Sequence, residues 1–310
     1  MAISGRLLGN QYYYIKPFIP RWLRIHIRRR IVLRKRVRCS DVWPINAKAA
    51  KPPQGWSGWP DQKRFAFVLT HDVDTAKGLE RCVQLAAMEE SFGFRSSFNF
   101  VAEDYRVSSV LRDYLMERGF EIGVHGLIHK KNPFLCKKVF QEQVVKLNGY
   151  LKEWGSVGFR CPSMYHNLDW IGELNIEYDC STFDTDPFEP QPDGMETIFP
   201  FWVSKNSSQE GYVELPYTLP QDHTLFVLMN EKDISLWKKK LDWIVECGGM
   251  VLVIVHPDYI NFSGRKSSVG EYPTKYYAKF LEYIKTRYEG QYWHVLPKEM
   301  ASFFRSFLFD

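Results

Sequence analysis

An α/β chain whose parallel strands close, or nearly close, into a (β/α) barrel behind a basic N-terminal extension is what these 310 residues predict. Three features point there. Short apolar, β-prone segments alternate with segments of helical period; a stretch rich in proline and glycine, KPPQGWSGWPDQK at 51–63, precedes them; and the balance of charge reverses across it. With 45% hydrophobic residues the chain can bury a large core, and its length suits one barrel of about 250 residues plus an extension.

The alternation runs as follows. Strand-like segments fall at 65–70, 96–101, 120–125, 157–160, 178–184, 212–215, 250–256 and 292–296. Between them, Phe140, Val144, Leu147 and Leu151 share one face of a helix over 137–153, and Tyr277, Phe280, Leu281, Ile284 and Tyr288 do so over 274–288. Strands that alternate with helices build a mainly parallel sheet, and seven or eight such units favour a closed barrel over an open sheet. The expected organisation is an extension over 1–50, a linker or surface wrap over 51–64, and the barrel over 65–310.

The extension carries 12 Lys and Arg against Asp41 alone, leaving 29 against 35 acidic residues in the rest of the chain. In YYYIKPFIPRWLRIHIRRRIVLRKRVR, apolar and aromatic residues interleave with arginines whose stems can lie along an apolar boundary. Two readings of residues 1–40 stand beside each other: an anionic membrane surface, or packing on the barrel itself. Nothing else in the chain supports nucleic acid. The six cysteines are scattered singly, as reduced thiols are, and no apolar run nears the roughly 20 residues of a membrane span. The N-terminus shows no signal-like apolar core, so the expected place is the cytoplasm, peripherally at the inner face of the plasma membrane.

The chemistry-bearing residues gather at the ends of the strand-like segments, where parallel barrels place their active sites. FAFVLTHDVD ends in His71, Asp72 and Asp74; GVHGLIH presents His125 and His129 four apart, with Gly126 easing a turn between them; GFRCPS puts Arg160 before Pro162; STFDTDPF carries Asp184 and Asp186; MVLVIVHPD delivers His256. Each piece alone has a plain structural explanation, an aspartate as a helix cap or a histidine as a bonded core group. Five strand ends with ionisable residues are harder to explain that way.

The ordered set THDVD, HGLIH, RCPS, FDTDPF and VIVHPD resembles the five motifs of the polysaccharide deacetylase family, the fourth family of carbohydrate esterases, in its Asp-x-Asp branch. The resemblance implies a distorted (β/α)7 barrel and one divalent metal ion, zinc by preference, held by Asp74, His125 and His129. It implies Asp72 as the catalytic base, Arg160 orienting that base by charge and a forked hydrogen bond, and His256 as the general acid. Asp184 is expected to polarise the acid, with Asp186 competing for that place. Gly126 stands where the family carries a hydroxyl residue, and Met164 where it carries glycine.

The expected activity is removal of acetyl groups from N-acetylated amino sugars of a surface polysaccharide, an O-antigen, or a lipid-linked or nucleotide-linked glycan precursor. A deformylase of a lipid-linked amino sugar, a hydrolase of non-sugar amides or cyclic imides with a smaller, closed site, and an inactive glycan-binding or membrane scaffold are the alternatives. Pro216, Tyr217, Pro220 and Asp222 are expected to wall the pocket, and Trp170 and Trp202 to offer faces for a sugar.

Overall fold

The computed structural model describes residues 20–129, 132–205 and 210–309. Strand β1 (Phe65–Val73) is buried at all nine positions and organises the rest. Its N-terminal half pairs with β11 (Tyr292–His294), its C-terminal half with β2 (Ser97–Phe100), and its other edge with β8 (Met250–Val255), all parallel. From β2 the sheet continues through β3 (Glu121–Val124), β4 (Gly158–Phe159), β5 (Tyr178–Asp179) and β7 (Gly211–Glu214), again parallel. The chain beyond β7 then meets β8: the amides of Thr218 and Leu219 donate to the Leu252 carbonyl at 3.1 and 3.2 Å, and the Leu252 amide donates to Thr218 Oγ1 at 3.0 Å. Seven parallel strands thus close a distorted (β/α) barrel, as expected. Strand β6 (Phe201–Ser204), absent from the sequence reading, adds antiparallel to β7 at the outside.

Helices cover the barrel. Helix α2 (Cys82–Phe92), α3 (Ser109–Glu117), α4 (Lys137–Trp154), α5 (Ser235–Cys247), α6 (Lys275–Arg287) and α7 (Pro297–Phe309) turn their apolar faces inward. The face expected on α4 buries Phe140, Leu147 and Leu151, with Val144 partly covered, and that on α6 buries Tyr277, Phe280, Leu281 and Ile284. A short pair, β9 (Ile260–Asn261) with β10 (Tyr272–Pro273), and a π-helical turn, His223–Met229, rise on the side of β8 where its C-terminal end opens.

The basic extension is part of this body. Helix α1 (Arg21–Arg38) lies along the π-helical turn, with Ile25 and Val32 in the common core. Arg29 Nε donates to the Val227 carbonyl at 2.9 Å, and Arg36 Nη1 to Glu231 Oε1 at 2.5 Å. Downstream, Trp43 packs edge-on against Phe188, Ile198 N donates to the Ala49 carbonyl, and Trp59 Nε1 donates to the Gly248 carbonyl at 2.8 Å. The segment 51–64 is therefore a wrap rather than a linker: Trp56 and Trp59 pin it among Phe199, Phe303 and Phe307. Of the two readings of the arm, packing on the barrel holds for residues 21–38, while Trp22, Ile27, Ile31 and Val37 stay exposed on the outward side. Tyr12, Tyr13 and Tyr14 lie outside the described residues. No helix among the described residues is long and apolar enough to cross a membrane.

Candidate active site

Successive side chains on a strand point to opposite faces, and β1 uses both. His71 turns outward to the helix layer, its Nε2 2.8 Å from Glu89 Oε1, while Ser96 and Tyr277 also donate to that carboxylate. This pair ties β1 to α2 and α6. Thr70 and Asp72 turn inward. Asp72 Oδ1 accepts from Arg160 Nη1 at 2.8 Å and from Asn99 Nδ2 at 3.1 Å. Burial alone would raise the Asp72 carboxyl, but the Arg160 guanidinium, then His125 and His256, outweigh it and hold the group at about 2. Asn99 fits because Gly123 faces it across β2 and β3: a Cβ there would stand 2.0 Å from Asn99 Oδ1.

Arg160 is wholly buried and spends its fork differently from the expectation. Nε donates to the Cys180 carbonyl at 2.8 Å, and Nη1 is shared between Thr70 Oγ1 at 2.9 Å and Asp72. A single nitrogen therefore meets Asp72, not two: Nε serves the Cys180 carbonyl, and the buried Nη2 has no hydrogen-bond partner among the described residues.

Asp74, His125 and His129 offer ligand atoms that all lie within 4.8 Å of one another. His129 Nε2 is 3.3 Å and His125 Nε2 3.6 Å from Asp74 Oδ1. His125 Nδ1 lies 3.0 Å from the Arg160 carbonyl, which can only accept, so Nδ1 carries the proton and the Nε2 lone pair is aimed at Asp74. The backbone between the two histidines turns at Gly126, with φ +70°; a Cβ there would also stand 2.7 Å from Pro162 Cδ, which explains a glycine in place of a hydroxyl residue. Asp104 Oδ2 accepts from the His129 amide at 2.7 Å. Asp74 Oδ1 is buried without a hydrogen-bond partner and faces two imidazole nitrogens, an arrangement that costs free energy unless a cation completes it. Two imidazoles and one carboxylate suit zinc and its neighbours and leave positions open. The residues therefore fit one divalent ion.

His256, at the end of β8, is held by a carboxylate that sequence reasoning did not choose. Its Nδ1 lies 2.6 Å from Asp222 Oδ1, and its amide donates to Asp222 Oδ2 at 2.9 Å; Tyr272 donates to the same oxygen at 2.8 Å. Burial would lower the imidazole, yet Asp222, by charge and hydrogen bond, with Asp74 and Asp72 behind it, pushes His256 up to about 10. The expectation that Asp184 polarises this histidine is corrected: Asp184 is fully buried 2.7 Å from Lys240 Nζ on α5. Its competitor Asp186 accepts from Tyr217 and from the Phe188 amide. Both follow β5, whereas the barrel closes by bringing the chain after β7 against β8, and Asp222 sits on that chain.

Other groups complete the rim. Tyr259 donates to Asp74 Oδ2 at 3.4 Å and packs against His256 and His223. Glu189 accepts from Gln221 at 2.6 Å and Tyr217 at 2.9 Å; burial first, then Asp186, push it up to about 8. Trp170 packs on Phe140 beneath Lys137, and Trp202 meets Phe309 on the outer edge, so the contacts of both belong to packing.

The barrel is similar in fold to those of solved chains described as polysaccharide deacetylases. It is similar to a chain from Mycobacterium smegmatis described as a polysaccharide deacetylase, at TM-score 0.61 and 19% identity over 82% of this chain and 95% of that one. It is also similar to one from Pseudomonas aeruginosa PAO1 described in the same way (0.63, 16%, 85% and 98%) and to the Puue allantoinase (0.63, 17%, 85% and 98%). At these identities the likeness is one of fold. No protein-family model matches the sequence, and no curated protein does.

Proposed function

We propose that the chain is a metal-dependent amide hydrolase that removes the acetyl group from an N-acetylated amino sugar. The observation that supports this most is a pair of titratable groups in one barrel mouth whose environments push them apart: Asp72 down to about 2 and His256 up to about 10, beside a three-ligand cluster. The charge of His256 acts on both Asp72 and Asp74, so all three share one site.

In this reading Asp72, kept ionised by Arg160 and aimed by Asn99, takes a proton from the water that attacks the acyl carbon. His256, held cationic by Asp222, gives a proton to the departing amine, which leaves poorly without one. Asp74, His125 and His129 would hold the divalent ion, which supplies Lewis-acid polarisation of the acyl oxygen and an acidified water. The products are a free amino sugar and acetate. Incubating zinc-loaded protein with N-acetylated and N-formylated sugar nucleotides and polyprenyl-linked glycans tests the reading. Mass spectrometry should find acetate; release of formate alone would favour a deformylase, and release of neither would leave the non-sugar hydrolase and the scaffold.

The acid assignment has its own test. Asp222→Asn is expected to bring the His256 imidazole down toward its ordinary range, so that activity falls with rising pH from near neutrality instead of near pH 10. Asp184→Asn should leave that alkaline limb in place. An unshifted limb in Asp222→Asn would remove Asp222 from the role.

Peripheral attachment to an anionic inner-membrane surface, and hence a surface-polysaccharide, O-antigen or lipid-linked precursor as substrate, is supported by the outward side of α1. There Trp22, Ile27, Ile31 and Val37 stand exposed among Arg30, Arg34 and Arg38. Deleting the arm would tear Ile25 and Val32 from the core, so the cleaner variant is Trp22→Ser with Ile31→Ser and Val37→Ser. It is expected to lose at least about tenfold in co-sedimentation with anionic liposomes at low salt, with an unchanged melting temperature. Equal sedimentation would rule out this face as the anchor.

A further inference from the structure

Two residues beyond His256 stands a buried aspartate to which the proposed reaction gives no task. Asp258 is 4% exposed, and its carboxylate reaches across to the end of β1. Oδ2 accepts from the Asp74 amide at 3.0 Å, and Oδ1 accepts from Thr75 Oγ1 at 2.5 Å. Thr75 stands at the start of the helical turn Ala76–Leu79, yet its hydroxyl caps none of that turn's amides and serves Asp258 instead. Room for the carboxylate is made at Gly78 in the same turn, where a Cβ would overlap Asp258 Oδ2 and Cγ. The backbone that carries Asp258 is held from behind. Arg81 Nη1 donates to the Pro257 and Asp258 carbonyls at 3.3 and 3.1 Å, while its Nη2 meets Glu271 Oε1 at 2.8 Å. On the other flank of the strand end, the Tyr105 hydroxyl donates to the Val73 carbonyl and accepts from the Val101 amide. These contacts converge on Asp74. Strand β1 stops at Val73, so the ladder that fixes Asp72 no longer fixes its neighbour but one, and the Asp74 amide finds a side chain rather than a strand. Its Oδ1 has no hydrogen-bond partner to aim it, with the His129 and His125 Nε2 atoms at 3.3 and 3.6 Å. The backbone at residue 74 therefore decides where that oxygen stands.

We propose that Asp258 is the positioning residue of the metal site: by holding the Asp74 amide and the Thr75 hydroxyl it sets Asp74 Oδ1 between the two imidazoles. The inference rests on the reading of Asp74, His125 and His129 as the ligands of a divalent ion. It gives the turn His256–Tyr259 a double duty. His256 supplies the proton at its start, and Asp258 and Tyr259 hold the backbone and the carboxylate of one ligand at its end, so the ends of β1 and β8 keep a fixed spacing. Groups that orient a metal ligand in this way govern metal affinity without touching the ion.

The test reads the metal rather than turnover. Zinc affinity is measured by competition with a chromophoric chelator for the full chain, for Asp258→Ala and for Asp258→Asn, and cobalt(II) is substituted so that its visible absorption reports the ligand geometry. Circular dichroism of each metal-free protein shows that it is folded before metal is added. Asparagine can still accept from the Asp74 amide through Oδ1 and donate through Nδ2 to the Thr75 hydroxyl, which accepts as well as donates; alanine can do neither. Asp258→Ala is expected to bind zinc about 10- to 100-fold more weakly and to change the cobalt spectrum. Asp258→Asn is expected to stay close to the parent in both readouts, a rescue that a loss of general stability would not produce. Gly78→Ala keeps the carboxylate but displaces it from the strand end, and should weaken zinc in the same direction; it carries the test if Asp258→Ala does not fold. Parent-like zinc affinity in folded Asp258→Ala or Gly78→Ala would overturn the inference, and so would an Asp258→Asn that falls as far as Asp258→Ala. A chain that shows the expected pattern of zinc affinities but releases no acetate would overturn the deacetylase reading and leave Asp258 in its role.

Discussion

Protein carrying both His125→Ala and His129→Ala is expected to contain almost no zinc after loading and dialysis, where the parent chain holds about one ion, and to lose its hydrolytic activity entirely. The physical reason is donor count. Without the imidazoles, Asp74 is one carboxylate in a buried place, and Asp72 is committed to Arg160 and Asn99. One carboxylate does not hold a borderline cation that prefers nitrogen ligands. The fold should survive, because His129 is partly exposed and His125 gives up a single hydrogen bond, to the Arg160 carbonyl, worth about 1 kcal/mol. Metal analysis with a melting curve checks both halves. Stoichiometric zinc in the double variant would eliminate the cluster as the metal site.

The second large effect separates base from ligand. Asp72→Asn is expected to keep its zinc and lose on the order of 10²-fold or more in kcat, the scale for removing a general base. Asparagine preserves the acceptor that Arg160 and Asn99 use, so geometry is retained while the proton acceptor disappears. The change leaves the buried Arg160 cation without its counter-charge, so a fall in melting temperature is expected too. Zinc content distinguishes this from collapse of the site. Asp74→Asn should behave in the opposite order, with metal lost first. If Asp72→Asn turned over normally, or shed its metal while Asp74→Asn kept it, the two assignments would be exchanged.

What could be read from the chain was whatever follows from strands ending. A buried strand that stops at an ionisable residue puts that residue at the C-terminal mouth of a parallel barrel, which brought Asp72, Asp74, His125, His129, Arg160 and His256 to one place. What could not be read was the angular order of the mouth. Asp184 and Asp222 both stand a few residues past an inner strand, and only the meeting of Thr218 and Leu219 with Leu252 decides which one faces His256. The side chains of the wrap show the same limit. Pro52, Pro53, Gly55 and Gly58 read as a linker or a surface wrap, and only the structure shows Trp59, next in the chain, anchored to the Gly248 carbonyl. Turn residues report that the backbone bends and say nothing of where a neighbouring indole is buried. The outward turn of His71 was equally silent, since alternation fixes that neighbours diverge without saying which of them enters the barrel.

The pairing of His256 with Asp222 reaches beyond proton delivery. Along most of the barrel, strands are joined by ladders, but the chain leaving β7 meets β8 through a few bonds around Thr218 and Leu252. That is the seam of the barrel, and four residues above it Asp222 reaches across to the amide and ring of His256. The ion pair is a clasp on the seam. Because the folded state raises His256 from 6.5 to about 10, its contribution to stability is complete below pH 6.5 and drains away as pH climbs through about 10. Alkali should therefore unfasten the barrel along one line, between β7 and β8, and the Thr218 and Leu219 amides should be the first of the barrel wall to exchange with solvent deuterium.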